Sequence, residues 1–294
     1  TAITTYLMWM DVNITLCLKP DGMTDAVAKE ICAKFENTIL CDSEKQMLDM
    51  WLELIEDADV LSGWNSEGFD IPYTVNRVTK VLSKEDTRRF CLWNQFPKKR
   101  EYEKYGKAAV TYDLIGRVHL DSLELYRKYT YEERHTYRLD AIGEMEIGEN
   151  KTVYEGTLDQ LYNNDFRRFI EYNRQDCMLL EKLDKKLKFL ALANTLAHEC
   201  TVLLQTTMGA VAVTEQAIIN EAHERGMVVP NRKQRLTDED TQAAGAYVAY
   251  PKKGVHEWIG SVDINSLYPS AIRAMNMGPE TVVGQLRSIM TDHY

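Results

Sequence analysis

The chain has 294 residues and a mass of 33.9 kDa, enough for about two domains with buried cores. Hydrophobic residues make up 45% and charged residues 27%, which excludes a largely disordered, collagen-like or miniature disulfide-rich protein. The formal net charge is -10, so a nucleic-acid partner would need a local basic surface or bridging metal ions.

The cysteines and the apolar runs indicate the compartment. Six cysteines are widely spaced, without a CxxC pair or a histidine at zinc-finger spacing, which favours a reducing cytosol and a cytoplasmic protein. The most apolar stretch, residues 189–204, contains Asn194, His198 and Glu199 and is shorter than the ~18 apolar residues of a membrane helix. We therefore expect no membrane partner. Thr1 opens directly on a strand-like pattern without a basic leader, which favours a piece of a longer chain.

The N-terminal part of the chain alternates strand and helix patterns. Strand-forming residues at 2–9 and 14–18 flank a short polar turn and predict a hairpin. The elements predicted next are a helix over 24–36, a strand over 38–41, a helix capped by Ser43 and Gln46, a strand over 60–63 and a helix from about Ile71. Such alternation is typical of an α/β domain.

The central and C-terminal parts contain a local basic region and longer helices. Residues 95–138 hold ten Lys/Arg and seven Asp/Glu, and within them residues 100–112, around Tyr105, Gly106 and Lys107, predict a projecting hairpin. That hairpin either contacts nucleic acid or is an ordinary solvated hairpin. Helical patterns run over 166–205 and 208–225, and polar residues 228–245 form the best domain boundary. GSVDINSLYPS then predicts a strand that turns directly into a helix.

Two distant segments carry carboxylates together with aromatic or amide side chains. GWNSEGFDIPY, residues 63–73, places Asp70 at a helix start, with Asn65 and Phe69 on the loop before it. YNRQD places Tyr172 and Asp176 on one face of a long helix. Each alone is explained by a helix cap or an exposed helix surface. Together they are part of the carboxylate set with which a phosphodiester hydrolase binds two magnesium ions.

These segments resemble the second and third exonuclease motifs of the family B DNA polymerases. SVDINSLYPSAIRAMNMGPETV is similar to the family's first palm motif, D-x-x-S-L-Y-P-S, and GAYV, the turn at 251–254 and GPET at 278–281 resemble the T-even bacteriophage type. The resemblance covers nearly the whole chain in the family's order. It implies an α/β, ribonuclease H-like 3'-5' exonuclease domain over 1–188, helical connecting residues 189–234 and an incomplete α+β palm over 235–294.

The resemblance also implies roles in proofreading. Asp70 and Asp176 would bind Mg²⁺ or Mn²⁺, and Tyr172 would orient the water that removes a mismatched 3'-terminal nucleotide. Asn65 and Phe69 would contact the frayed primer end by hydrogen bonding and stacking.

A second metal centre is implied in the palm. Asp263, at the end of a strand, would bind both catalytic metals, while the turn with Ser266 and Leu267 would meet the nucleoside triphosphate through its amides. Tyr268 would pack against the sugar and exclude a 2'-hydroxyl. A strand-to-helix turn with an early proline would explain the geometry of this segment but not the choice of these residues.

The sequence departs from the family pattern at several points. The first exonuclease motif, Asp-x-Glu, is expected before the opening hairpin, and a second palm aspartate is expected after Tyr294. Residues 42–44 match Asp-x-Glu, but only twenty-five residues separate Glu44 from Asp70, and Ser43 as a helix N-cap explains the segment without catalysis. Ala243 stands where the family has Tyr in Y-x-G-G/A, at a DNA contact. We expect no templated synthesis by this chain alone and feeble or absent nuclease activity.

The implied partners of the intact protein are primer–template DNA, deoxynucleoside triphosphates and a sliding clamp. The basic residues 98–100 and their hairpin would help to separate the primer end from its template. The chain is either truncated or one half of a split polymerase completed by a second chain, and if a phage encodes it, it acts in the host cytoplasm. A stand-alone exonuclease and a noncatalytic DNA-binding module are the alternatives, and DINSLYPS argues against the first.

Overall fold

A computed structural model describes residues 1–104, 106–149, 156–231, 247–278, 281 and 283, and the chain divides into two units, 1–231 and 232–294. The strands are β1 Ala2–Leu7, β2 Val12–Cys17, β3 Thr38–Leu40, β4 Val60–Gly63, β5 Lys98–Lys104, β6 Lys107–Asp113 and β7 Val118–Asp121. The helices are α1 Asp25–Cys32, α2 Glu44–Leu54, α3 Asp70–Val81, α4 Ser122–Tyr129, α5 Leu139–Ile147, α6 Leu158–Asn164, α7 Phe166–Leu187, α8 Phe189–Glu199, α9 Ala210–Glu224 and α10 Leu267–Ala274. The mixed α/β character of the first unit confirms the predicted class.

The predicted opening hairpin is formed by β1 and β2, which pair antiparallel, and β3 adds to β2 in parallel orientation. Thr4 lies opposite Thr15, and their hydroxyl oxygens are 2.9 Å apart. Leu16 and Cys17 are consecutive on β2 and therefore point to opposite faces of this small sheet, and both are fully buried. Leu16 packs in one hydrophobic cluster and Cys17 in another, so both faces of the sheet are covered.

Helix α2 begins where the capping pattern predicts. The Ser43 hydroxyl accepts a hydrogen bond from the Gln46 amide at 3.2 Å, and the Gln46 side chain accepts one from the Asp42 amide at 2.7 Å. Helix α2 buries Leu48 and Leu52 against α3. The side chains of the two helices together form a large hydrophobic cluster among the described residues of the first unit. The helix start at residues 42–44 therefore has a structural explanation.

A second sheet positions the loop of interest. Strands β4 and β7 pair in parallel, with Gly63 opposite Asp121, so their carboxyl ends lie side by side. Helix α3 follows β4 and α4 follows β7. The predicted hairpin is confirmed as β5–β6, paired antiparallel, and Tyr105 lies outside the described residues.

The long helical region is divided. Helix α7 ends at Leu187, the next residue, Lys188, adopts a left-handed conformation (φ 55°), and α8 starts at Phe189. The prediction of one helical run over 166–205 is wrong at this point. Phe189 turns back toward the aromatic rings of Tyr126 and Tyr129, at centroid distances of 6.2 and 5.6 Å, and this packing redirects the chain.

The second unit contains α10, with Pro269 in its first turn as the pattern predicts. The strand expected before it, ending at Asp263, is wrong: residues 260–264 form no strand. A strand needs a hydrogen-bonded neighbour, and the described part of this unit offers none. Every described helix of the chain is too short or too polar to cross a bilayer.

Candidate functional site

The loop between β4 and α3 is built at the carboxyl ends of two parallel strands, where α/β proteins commonly place their ligand sites. Its first residue, Trp64, donates its ring N–H to the Tyr137 carbonyl at 3.0 Å and packs beside Tyr126. The Ser66 hydroxyl donates to the Gly63 carbonyl at 3.0 Å. These bonds fold the loop back onto the end of its own strand.

Asp121 is a residue of this loop's environment that the sequence analysis missed. Its side chain is only 5% exposed and accepts hydrogen bonds from the backbone amides of Asn65, Glu67 and Leu123 at 2.9–3.0 Å. Burial raises the pKa of Asp121, and the amide hydrogen bonds act in the opposite direction. The available signal was an aspartate between the strand-like VHL and the helical SLELYRKY. That pattern is also typical of an ordinary helix N-cap, which Asp121 is for α4.

Asp70 is the first residue of α3, as predicted. The residue is exposed, yet enough protein surrounds its carboxyl group for desolvation to raise its pKa. A backbone hydrogen bond lowers this pKa, and the charge of Asp121 raises it. Two neighbouring carboxylates repel one another, so the electrostatics at this strand end favour a cation.

Asn65 and Phe69 lie on the exposed side of the same loop. Asn65 has a left-handed backbone (φ 60°), and its side-chain oxygen lies over Gly68, where an added Cβ would come within 2.9 Å of it. Phe69 is 60% exposed and stacks on Tyr73, with ring centroids 5.5 Å apart and planes at 12°. The loop therefore presents an amide and a stacked aromatic pair to solvent, groups that can contact an unpaired base.

Tyr172 and Asp176 lie one turn apart on α7, both half-buried. The residue after Tyr172, Asn173, accepts a hydrogen bond from Thr4 on β1 at 2.6 Å, and Cys177 donates to Asn13 at 3.3 Å. This stretch of α7 therefore lies against the opening hairpin.

The next turn of α7 reaches the other side of the site. Leu179 and Leu183 belong to a buried cluster that contains Tyr126, and Trp64 packs against it. Because residues three and four apart share a helix face, Asp176 lies on the part of α7 between the opening hairpin and the β4–α3 loop.

The described residues alone do not complete a metal site. Among them, no group of three or more His, Cys, Asp or Glu side chains is arranged to hold a metal ion. Asp70 and Asp176 are carboxylate donors of the kind that Mg²⁺ and Mn²⁺ prefer. Their assignment as metal ligands stays a prediction.

The basic cluster at residues 98–100 is partly engaged by acids. Arg100 pairs with Glu67 of the β4–α3 loop at 2.5 Å and with Asp113 at 3.0 Å. Lys99 pairs with Glu101 at 2.6 Å. Arg100 therefore links the hairpin to the loop, and its charge is largely compensated within the protein.

The Asp-x-Glu look-alike at residues 42–44 is structural. Glu44 accepts hydrogen bonds from two nitrogens of Arg77, from Nε to Oε1 at 2.7 Å and from Nη2 to Oε2. This bidentate pair ties the first turn of α2 to α3. Its rejection as a catalytic motif is therefore supported by an alternative role.

The predicted palm residues lie in the second unit. Ser266 is the N-cap of α10 in a left-handed conformation (φ 52°), followed by Leu267 and Tyr268 in the first turn. Asp263 is exposed, and Tyr268 is 69% exposed. Their roles stay predictions. Ala243 lies outside the described residues, as do two residues of GPET.

Two family models match the chain, in chain order. Residues 12–142 match the model of the exonuclease domain of DNA polymerase family B. Residues 201–292 match the model of DNA polymerase family B itself. Together the matches cover about three quarters of the chain.

Individual relatives agree with the models. The DNA-directed DNA polymerases of Escherichia phage RB69 and Enterobacteria phage T4 are each 29% identical over 248 residues, covering 84% of this chain. DNA polymerase 2 of Aeropyrum pernix is 30% identical over 254 residues, covering 82% of this chain. The chain spans only 27% of the length of the two phage relatives and 29% of the archaeal one.

Proposed function

Because the chain belongs to family B of the DNA polymerases, we propose that it supplies the 3'-5' exonuclease region and the start of the palm of a replicative polymerase. In this proposal residues 1–188 form a ribonuclease H-like exonuclease domain, residues 189–234 connect, and residues 235–294 begin the palm. The match of residues 201–292 to a polymerase model argues against a stand-alone exonuclease.

The observation that carries the proofreading part is the convergence of elements around one loop. The loop that leads to Asp70 leaves β4 at the paired ends of β4 and β7, and its Trp64 packs against the cluster of Leu179 and Leu183, which follow Asp176 on α7. The two motifs are about a hundred residues apart in the sequence. A shared exonuclease site requires the two motifs to lie on neighbouring elements. If Asp70 were only a helix cap and Asp176 only a surface residue, the two motifs would have no reason to lie close together.

The sheet edges support a ribonuclease H-like arrangement. Strand β1 pairs only with β2, and β4 only with β7, among the described residues. Ile3 on β1 and Leu61 on β4 pack against the same hydrophobic cluster, so the two open edges border one region of the core. One further strand between them would join both sheets, and the family resemblance assigns the Asp-x-Glu motif to such a strand. Its carboxylates would then lie beside Asp70 and Asp176.

The described side chains have separable tasks in this proposal. Phe69 and Asn65 hold the unpaired 3'-terminal nucleotide by stacking and hydrogen bonding. Asp70 and Asp176 supply negative charge for divalent cations, and Tyr172 orients the attacking water through its hydroxyl. Bound Mg²⁺ or Mn²⁺ would activate that water and neutralise the leaving oxygen.

In the palm, Asp263 would bind the metals of nucleotidyl transfer, and the turn at Ser266 and Leu267 would meet the triphosphate of the incoming nucleotide. Tyr268 would act as the filter against ribose. Primer–template DNA and nucleoside triphosphates are the proposed substrates, with a sliding clamp or a complementing chain as further partners.

The test restores the expected first motif. A version of the chain extended at its N-terminus by a segment with the Asp-x-Glu strand is incubated with single-stranded DNA and Mg²⁺. We expect degradation from the 3' end, and we expect Asp70→Ala together with Asp176→Ala to remove it. Residues 42–44 offer a matched control, because Asp42→Ala removes an acid that has no catalytic role in this account. Activity that survives the double substitution would refute the assignment.

A further inference from the structure

We infer that Asp121 is a positioning residue of the exonuclease site, whose buried carboxylate anchors the β4–α3 loop and so sets the placement of Asn65 and Phe69. The inference rests on the proposed function for what the loop contacts, but the anchoring itself is a property of the described residues. It concerns a residue that lies outside the motifs which carry the family resemblance.

The carboxylate serves two segments at once. Oδ1 accepts a hydrogen bond from the amide of Leu123, and this bond caps α4. The same oxygen also accepts one from the amide of Asn65 at 3.0 Å. Oδ2 accepts from the amide of Glu67 at 2.9 Å. Helix capping needs only the first of these bonds. The other two reach a loop 54 and 56 residues away in the sequence, and capping does not explain them.

The anchored peptide controls the rest of the loop. Asn65 is left-handed (φ 60°), a conformation that is uncommon for non-glycine residues but that asparagine tolerates. While its amide donates to Asp121, its carbonyl accepts from the amides of Gly68 and Phe69 at 3.1 and 3.0 Å. Phe69 occupies the N-cap position of α3, directly before Asp70. A shift of the Asn65 peptide would therefore move the exposed aromatic ring and the start of the helix that bears Asp70.

Neighbouring bonds hold the same loop from the side of β7. The Ser66 hydroxyl lies 2.9 Å from Nε2 of His119, two residues before Asp121. The Glu67 carboxylate is held by Arg100 of the hairpin. The contacts of Ser66 and Glu67 hold side chains of the loop, whereas Asp121 holds its backbone amides. Hydrogen bonds to backbone amides fix the path of the chain directly.

Asp121→Asn separates anchoring from capping. Asparagine caps helices about as well as aspartate, so α4 keeps its cap. Its side chain has one acceptor oxygen and an NH₂ group that cannot accept from an amide, so one loop bond must be lost. The matched control is Asp165→Asn, because Asp165 is the N-cap carboxylate of α7 and accepts only from the Arg168 amide among the hydrogen bonds of its cap.

Two measurements on the full chain test the inference. In Asp121→Asn the oxygen that caps α4 also keeps the Asn65 bond, so the bond to Glu67 is the one that is lost. Hydrogen–deuterium exchange of the Glu67 amide should therefore become about tenfold faster, since its hydrogen bond to a charged group is gone. Binding of fluorescein-labelled oligothymidylate in EDTA, measured by anisotropy, should weaken about fivefold or more. It should weaken no further when Asp121→Asn is added to Phe69→Ala. Asp165→Asn should leave both readouts at the wild-type value.

Unchanged exchange at the Glu67 amide in a folded Asp121→Asn chain would overturn the inference and leave Asp121 as a cap alone. Faster exchange with unchanged oligonucleotide affinity would also overturn it, because the loop would then not depend on its anchor for binding. Failure of the wild-type chain to bind oligothymidylate at all would contradict the proposed function instead, while the exchange result would still decide whether Asp121 anchors the loop.

Discussion

Substitution of Leu179 by alanine tests how α7 is held in place. Leu179 is fully buried in the cluster with Tyr126, Ile142 and Leu183, and it lies one turn after Asp176. A Cβ added at Gly143 of α5 would come within 2.8 and 2.9 Å of its two methyl carbons, so the two helices are in close contact there. Truncation therefore leaves a cavity that the packed helices cannot easily close.

The expected loss is large. Leucine-to-alanine changes in rigid cores cost about 3–4 kcal/mol, which includes the cavity term. With a urea dependence of about 2–3 kcal/mol per molar for a domain of this size, the midpoint should fall by about 1–2 M. The assay is urea unfolding followed by far-ultraviolet circular dichroism. Leu203→Ala is the control, because Leu203 is 68% exposed and its truncation should change stability by less than about 0.5 kcal/mol. Equal midpoint shifts for the two variants would refute the packing of α7 on α5.

Three further predictions concern charge, pH and capping. Burial lowers the pKa of His119 below its usual 6.5, so below about pH 6.5 the unfolded chain binds a proton that the folded chain does not. The free energy of unfolding should be highest above that pH and should fall as the pH drops through it, by at most ~1.4 kcal/mol per pH unit. His119→Gln should reduce this slope, measured by urea unfolding at several pH values. An unchanged slope would show that His119 does not cause the pH dependence. Arg100→Ala removes the half-exposed pairs with Glu67 and Asp113 and should cost less than about 1 kcal/mol by the same assay, and a larger loss would show that the link is structural. Ser43→Ala should cost about 1 kcal/mol and Ser43→Asp nearly nothing, whereas equal losses would show that the hydroxyl does not act as a cap.

Local signals in the sequence were sufficient for most of the first unit. The opening hairpin and β4 follow from runs of strand-forming residues, and Ser43 with Gln46 marks the start of α2 by its capping chemistry. Position 188 was missed because nothing in the sequence marks a left-handed lysine, and the aromatic packing of Phe189 decides it. The strand before Asp263 was overpredicted because its pattern suits a strand but no described partner pairs with it.

The candidate site shows the same division. Asp70, Asn65 and Phe69 could be proposed together because they lie within one short motif, and the structure places them on the β4–α3 loop and at the start of α3. Asp121 was missed because its importance lies in hydrogen bonds to amides more than fifty residues away. Such a contact leaves no periodic or compositional trace, so an aspartate before a helix is indistinguishable from a plain cap in the sequence.

The proposed exonuclease activity requires Asp70 and Asp176 to share one cation site. Crystals of the chain soaked in Mn²⁺ and measured at the manganese absorption edge test it directly, because anomalous scattering locates the ion independently of any activity. The account predicts a weakly held ion with a carboxylate oxygen of each of the two residues as ligands, at about 2.0–2.3 Å. Carboxylates that point into different regions of the surface at saturating Mn²⁺, with no ion shared between them, would contradict it.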